Sequence, residues 1–232
     1  ENNDGFLEIG SAPNSTITQT VENLTLAYNV IVNSDRIALI NNDLNRSFGV
    51  TITNFRFENN TVFEDQSSKD YRIFWNTATL TTDIFQMRNN IFYLPNHTYV
   101  RMNIDPNSFL HQNNIYYLPN GLGIYRWESI TQGKYQDDLG SGEMLLQSDP
   151  GIFQNVASFS FDLIEGSVAV NNGLELSFSV DYEGNTVPFN SVTDIGAYEH
   201  TVWYPLSVMK LGNGSGIVSS NPSGISCGST CS

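Results

Sequence analysis

Four basic residues, Lys69, Arg72, Arg88 and Arg101, form the group in this chain best suited to abstracting a proton beside a carboxylate. One would act as base while the others neutralise the neighbouring anion. Asp70 stands beside Lys69, and the plainer alternative is that these charges sit solvated at the edges of the fold. Cleavage of a glycosidic bond would instead need two carboxylates roughly 5 to 9.5 Å apart. Glu64, Asp65, Asp70 and Asp83 are the acids that stacked elements would bring together, although a chain with 24 acidic residues also pairs acids by chance, Asp137 with Asp138 among them. Asp181, Glu183 and Asn185 surround Gly184 and offer oxygen ligands that would suit calcium. They lack the spacing and closing glutamate of an EF-hand loop, and a turn in which Asp181 caps its own backbone is the competing reading. Cys227 and Cys231 lie four residues apart without further cysteine or histidine partners. That is a poor zinc set, so a local disulfide formed in an oxidising compartment is expected, against two idle thiols.

These residues act together only if the chain stacks them, and the elements that would do so are strands. Of 232 residues 40% are hydrophobic and only 15% charged, enough apolar content for a core and too few charges for long salt-bridged helices. No twelve-residue stretch carries a clean helical apolar pattern, whereas Val50 to Thr53, Phe55 to Phe57 and Phe159 to Phe161 alternate as short strands between Asn- and Gly-rich turns. The net charge of −14 repels phosphate backbones and anionic lipid, so nucleic acid is not an expected partner. It also opposes polyanionic glycans except at a locally basic cleft. No run approaches the roughly 20 apolar residues of a membrane helix, and membrane insertion is not expected.

An internal repeat registers the strands. Asn29, Asn60, Asn90 and Asn114 recur at steps of 31, 30 and 24 residues, too long for hairpins and suited to successive coils of a solenoid with loops of unequal length. Asparagine tolerates left-handed backbone at a sharp bend, and its amide can bond to the coils above and below as a ladder. In this register Ile31, Val62, Phe92 and Tyr116 point inward after the bend, and Phe55, Phe57, Phe85, Met87 and Phe109 point inward before it. His111 falls where Met87 stands and reads as a satisfied interior histidine. One residue further on, Phe63, Tyr93 and Tyr117 form an outward aromatic column, with Tyr71, Trp75, Tyr125 and Trp127 near its edges. Flat aromatic columns are platforms for sugar rings. The alternative is that residues 121–142 fold over this column as packing.

The coil pattern ends near residue 120, and residues 149–199 carry four phrases in series: Asp149, Pro150 and Phe153; Gly166, Ser167, Ala169 and Asn171; Asp181 and Gly184; and the run Asp194 to Glu199. In this order they resemble the closing end of bacterial secreted right-handed parallel β-helix proteins of the choice-of-anchor type, over roughly residues 24–199. Val168, where that family often has proline, and the absence of Arg-Pro before Pro188 depart from the pattern at turns. Beyond residue 200, the strand Leu206 to Lys210, the glycine-rich Gly212 to Gly216, Asn221-Pro222 and the two cysteines resemble the start of an internalin B-type surface repeat.

The expected fold is therefore all-β, a right-handed parallel β-helix over residues 1–200 followed by a short β module over 201–232. The resemblance implies an extracellular or bacterial cell-surface location. It also implies contact with extracellular polysaccharide, as part of a lyase or hydrolase whose catalytic coils lie upstream. The rival expectation is a non-enzymatic stalk, adhesin or filament module meeting neighbouring protein modules. No cofactor is expected, calcium apart. The chain reads as beginning in mid-solenoid, so its first coil should dock on another part of the protein or on a partner, and end-to-end self-association follows as an expectation.

Overall fold

The computed structural model describes residues 6–10, 19–34, 36–41, 50–66, 71–76, 85–102, 109–121, 127–129, 132–134, 139–149, 151–202, 208–209, 211–214, 216–221 and 226–227. The chain divides into two units, residues 1–200 and 201–232. The first is all-β and dominated by parallel sheets, and its strands follow one another as β1 (Leu7–Gly10), β2 (Gln19–Glu22), β3 (Thr25–Ala27), β4 (Val30–Val32) and β5 (Arg36–Asn41). Then come β6 (Val50–Thr53), β7 (Phe55–Glu58), β8 (Thr61–Phe63) and β9 (Tyr71–Asn76), followed by β10 (Phe85–Arg88), β11 (Ile91–Tyr93) and β12 (Val100–Met102). The last are β13 (Leu110–Gln112), β14 (Ile115–Tyr117), β15 (Trp127–Ser129), β16 (Gln132–Lys134), β17 (Met144–Leu146), β18 (Phe153–Asn155) and β19 (Ser160–Leu163). The second unit contributes β20 (Val218–Ser219), antiparallel to β21 (Ser226–Cys227). No helix among the described residues is long and apolar enough to cross a membrane.

Strands β1 to β14 and β17 pair in parallel with their counterparts one repeat away, whereas β15 with β16 and β18 with β19 form antiparallel pairs. One sheet runs β1-β5-β9-β12, a second β13-β10-β7-β3 and a third β17-β14-β11-β8-β4, with β2 beside β6. Parallel neighbours require a crossover between partners, and the 24- to 31-residue repeat step supplies it. The register matches the asparagine spacing: Ile31 lies opposite Val62, Val62 opposite Phe92 and Phe92 opposite Tyr116.

The core lies between these sheets. Phe55, Phe57, Val62, Phe85, Met87, Phe92 and Tyr116 are buried there, as their inward positions demand. Their rings pack along the repeat direction, Phe92 on Tyr116 at 5.2 Å with nearly parallel planes, Phe85 tilted against Phe109 at 5.0 Å. Parallel pairing places like residue on like, so one aromatic position per repeat builds a continuous stack.

Candidate functional site

The candidate site is the outer face of the third sheet and the bend before it, where residues 151–199 close over the repeats. Two rows of side chains organise the bend. In the inner row Asn29 donates from its backbone N–H and its Nδ2 to Asn60 Oδ1, at 3.0 and 2.9 Å. Asn60 repeats both bonds to Asn90 Oδ1, and Asn90 repeats both to Asn114 Oδ1. The free proton of each Nδ2 bonds carbonyls, those of Leu26 and Glu58 for Asn60 and of Phe57 and Arg88 for Asn90. Asn60, Asn90 and Asn114 are fully buried and remain satisfied because an amide is donor and acceptor at once.

Glu143 takes the ladder position in the last repeat. Its carboxylate accepts from Asn114 Nδ2 at 2.6 Å, from the Tyr116 hydroxyl at 3.0 Å and from the Gly140 N–H at 2.6 Å, and it meets His111 Nδ1 at 2.8 Å. Burial alone would raise this carboxyl. The bonds from His111, Asn114 and Gly140 outweigh it and hold the group below its ordinary range. His111 lies opposite Met87, so the interior histidine closes the ladder with Glu143.

The outer row is formed by the residue before each ladder position: Tyr28, Asn59, Asn89, Asn113 and Gly142, all with φ between 50° and 70°. A backbone in that region turns its side chain away from the core. The asparagines of this row hold the closing segment. Asn59 Nδ2 donates to the Asp194 carbonyl at 3.1 Å, Asn113 Nδ2 to the Asn172 carbonyl at 2.8 Å, and Asn89 exchanges a pair of bonds with the backbone of Leu174 at 2.8 and 2.9 Å. Gly196 N–H bonds the Asn89 carbonyl at 2.8 Å, and Ala197 N–H bonds Thr61 Oγ1 at 3.0 Å. We call residues 166–199 the strap.

The acids of the closing motif hold the strap's own loops. Asp194 accepts from the N–H groups of Asn171 and His200, and Glu199 from those of Phe189 and Asp194. Asp181 accepts from Glu183, Asn185 and Glu199. Asp181 Oδ1 thus caps its own turn, as one of the two expected readings has it; among the described residues no group of three or more His, Cys, Asp or Glu side chains is placed to hold a metal ion. Asp181, Asp194 and Glu199 crowd together near Tyr28, whose buried hydroxyl has no hydrogen-bond partner among the described residues. Burial, then the charges of Asp194 and Asp181, push Glu199 up to about 7 against two stabilising N–H bonds, and burial raises Asp194 as well.

A carboxyl whose pKa rises on folding binds its proton more tightly in the native state. Its contribution to stability is therefore complete below about 4.5 and is lost as the pH climbs through about 7. We expect stability to fall by about 2 kcal/mol between about pH 5 and pH 7. Glu199→Gln should flatten that slope, as read by urea unfolding across the range; an unchanged slope would contradict the assignment.

The aromatic column forms in the expected register but not as an open platform. Phe63 stacks on Tyr93 at 5.8 Å and Tyr93 on Tyr117 at 4.4 Å, yet all three rings are at most 7% exposed. Phe153, Phe159 and Phe161 of the β18–β19 hairpin lie against them, at 5.6 Å from Tyr93 in the first case and 5.8 and 5.3 Å from Phe63 in the others. The expectation of an accessible sugar platform is thus corrected, because the β18–β19 hairpin packs over it. Tyr71 also departs from its expected place at the column's edge: it is buried in the core, its ring edge-on to His97. Trp75 and Trp127 are placed by their backbones on β9 and β15, opposite Leu39 and Lys134; their side chains, and Tyr125, lie outside the described residues.

The basic group divides. Arg72 and Arg101 occupy one register position on β9 and β12, and Arg36 extends that row on β5. Arg88 belongs to a different sheet and is bound to the buried Glu58, its Nε at 2.9 Å from Oε1. Lys69 lies outside the described residues, as do Asp70, Asp83, Asp137, Asp138 and Cys231, so the expected disulfide and most of the acid pairs fall there. Glu64 is buried against His97, a fixed pair beneath the surface rather than one half of a cleft.

The outer asparagine row was within reach of the sequence, since an Asn-Asn doublet precedes β8, β11 and β14. Only its second member had a reason in the ladder. Compared with family models, curated proteins and solved structures, the chain finds no match.

Proposed function

We propose that residues 1–200 are a right-handed parallel β-helix that serves as a rigid spacer in a secreted or surface-displayed protein. In this reading each repeat is one coil, the right hand follows the strong preference of parallel crossovers, and the strap seals the outer face. The resemblance of residues 149–199 to the closing end of choice-of-anchor β-helix proteins agrees with it, and so does reading residues 201–232 as the opening of a surface repeat. The observation that carries the proposal is the fate of the chemistry-bearing residues. The aromatic column is packed beneath the β18–β19 hairpin, and the motif acids are engaged by the N–H groups of the strap's own loops.

A second reading, contact with an acidic polysaccharide, has one specific observation in its favour. Arg36, Arg72 and Arg101 share a register row in a chain with only 10 basic residues. Such a row suits a polyuronate with evenly spaced carboxylates.

Affinity electrophoresis through gels carrying neutral or uronate polysaccharides, with a parallel assay for cleavage products, separates the readings. The spacer predicts unretarded migration in both gels and no products. Retardation by the uronate alone, abolished by salt and by Arg72→Gln, would move the assignment to the arginine row. Tyr93→Leu is expected to lower stability by about 2 kcal/mol through lost ring packing while leaving migration unchanged. Retardation lost in that variant would restore the column as a sugar site.

A further inference from the structure

The strap carries one aromatic pair that the sheets beneath it do not bury. Tyr182 and Tyr198 lie with ring centroids 5.2 Å apart and planes at 56°. Tyr198 is half-buried and packs against the apolar cluster that the β18–β19 hairpin forms with the aromatic column. Tyr182 keeps 56% of its surface open to solvent, in contrast to Phe63, Tyr93 and Tyr117.

An exposed tyrosine on a loop ordinarily samples many positions, but the backbone that presents this one is held. The Tyr182 N–H bonds the Ala197 carbonyl at 3.0 Å, and Asp181 Oδ1 fixes the turn by accepting from the N–H groups of Glu183 and Asn185 at 2.9 and 2.8 Å. Asp181 Oδ2 accepts from the Glu199 N–H at 2.9 Å, which ties the turn to the closing motif a second time. A ring presented on a fixed backbone loses little freedom when it takes a ligand.

The surroundings of the pair select the charge of that ligand. Glu183 is exposed beside Tyr182, and Asp162 of β19 is half-buried with Oδ2 bonded to the Ser160 hydroxyl at 2.8 Å. Burial, then Tyr182 and the charges of Asp162, Glu183 and Asp181, push the Tyr198 hydroxyl up to about 12. The charges that resist a phenolate there attract a cation.

We propose that Tyr182 and Tyr198, flanked by Glu183 and Asp162, form a recognition site for an arginine side chain on a basic segment of a partner protein. A guanidinium is flat enough to stack on the Tyr182 ring and donates a forked pair of bonds to a carboxylate, which an ammonium cannot do. The net charge of −14 steers a basic partner toward the chain and opposes a second copy of it. A uronate polysaccharide is repelled by the same acids. The site needs neither the hand of the repeats nor their role as a spacer.

The probe is a labelled Gly-Arg-Gly-Arg-Gly peptide, with a citrulline peptide as its uncharged twin of the same shape. Fluorescence anisotropy at low salt should show saturable binding of the arginine peptide, and the citrulline peptide should bind at least about tenfold more weakly. Tyr182→Ala should weaken binding about fivefold, because the stacking face is lost while the backbone bond to Ala197 remains. Tyr182→Phe, which keeps that face, should bind as the unaltered chain does. Glu183→Gln should weaken binding about threefold. Glu175→Gln, which removes an exposed charge near Tyr28 instead, should leave it unchanged. No saturable binding, or equal binding of the two peptides, overturns the proposal. So does equal weakening by Glu183→Gln and Glu175→Gln with Tyr182→Ala unaffected, which would mean diffuse attraction to an acidic chain. Retardation by the neutral polysaccharide gel that Tyr182→Ala abolishes would assign the pair to a sugar and overturn it as well.

Discussion

Replacing Asn90 by aspartate is expected to destabilise residues 1–200 by about 4 kcal/mol, the largest effect of any single conservative substitution considered. Asn90 is fully buried, and its Nδ2 faces three acceptors: the carbonyls of Phe57 and Arg88 and the side-chain oxygen of Asn114. The substitution keeps size and shape, and keeps the oxygen that accepts from Asn60. What changes is that three oxygens now meet a fourth, which must either carry charge without a partner or hold a proton at a cost. Asn172, exposed and bonded only to nearby carbonyls, is the control, for which Asn172→Asp should cost under about 1 kcal/mol. Urea midpoints measure both. Equal costs would mean that the inner row is not a ladder.

Gly196→Ala should cost about 3 kcal/mol, with an effect of a different kind. Gly196 holds φ at +103°, and a β-carbon there would stand 2.6 Å from Ile91 Cδ1 and 3.0 Å from Thr61 Oγ1. Neither neighbour can yield easily: Ile91 is buried beside the aromatic column, and Thr61 Oγ1 is the acceptor for Ala197 N–H. The strap should lift from the third sheet while the repeats beneath it stay paired. Hydrogen exchange should therefore accelerate in residues 166–199, with little change at Asn60 or Asn90. Uniform acceleration across the repeats would show that strap and sheets unfold as one unit and would refute a separable strap.

The repeats were legible in the sequence because parallel stacking imposes like on like. Once Asn29, Asn60, Asn90 and Asn114 were aligned, the inward places of Ile31, Val62, Phe92 and Tyr116 followed, and so did the match of His111 to Met87. The outward column was legible for the same reason. What covers it was not, since burial of an outward face depends on a segment tens of residues away that shares no period with the repeat. The hairpin of β18 and β19 announces itself only as apolar residues at Phe153, Phe159 and Phe161, which could equally have formed another strand of the stack. Glu143 was missed because it breaks the asparagine pattern at the place where the ladder must end on an acceptor. The roles of Asp194 and Glu199 were hidden too, because a motif acid reads alike whether it serves a substrate or, as here, the N–H groups of its own loop.

Exchange of the asparagine side-chain amides, followed by NMR on the intact chain, tests the central claim most directly. If the repeats are stacked and registered by the inner ladder, the Nδ2 protons of Asn60, Asn90 and Asn114 should exchange slowly and together, at the rate of global unfolding, and the half-buried Asn29 should exchange faster. Exchange of all four at the rate of a free asparagine would contradict the ladder, and with it the rigid spacer built upon it.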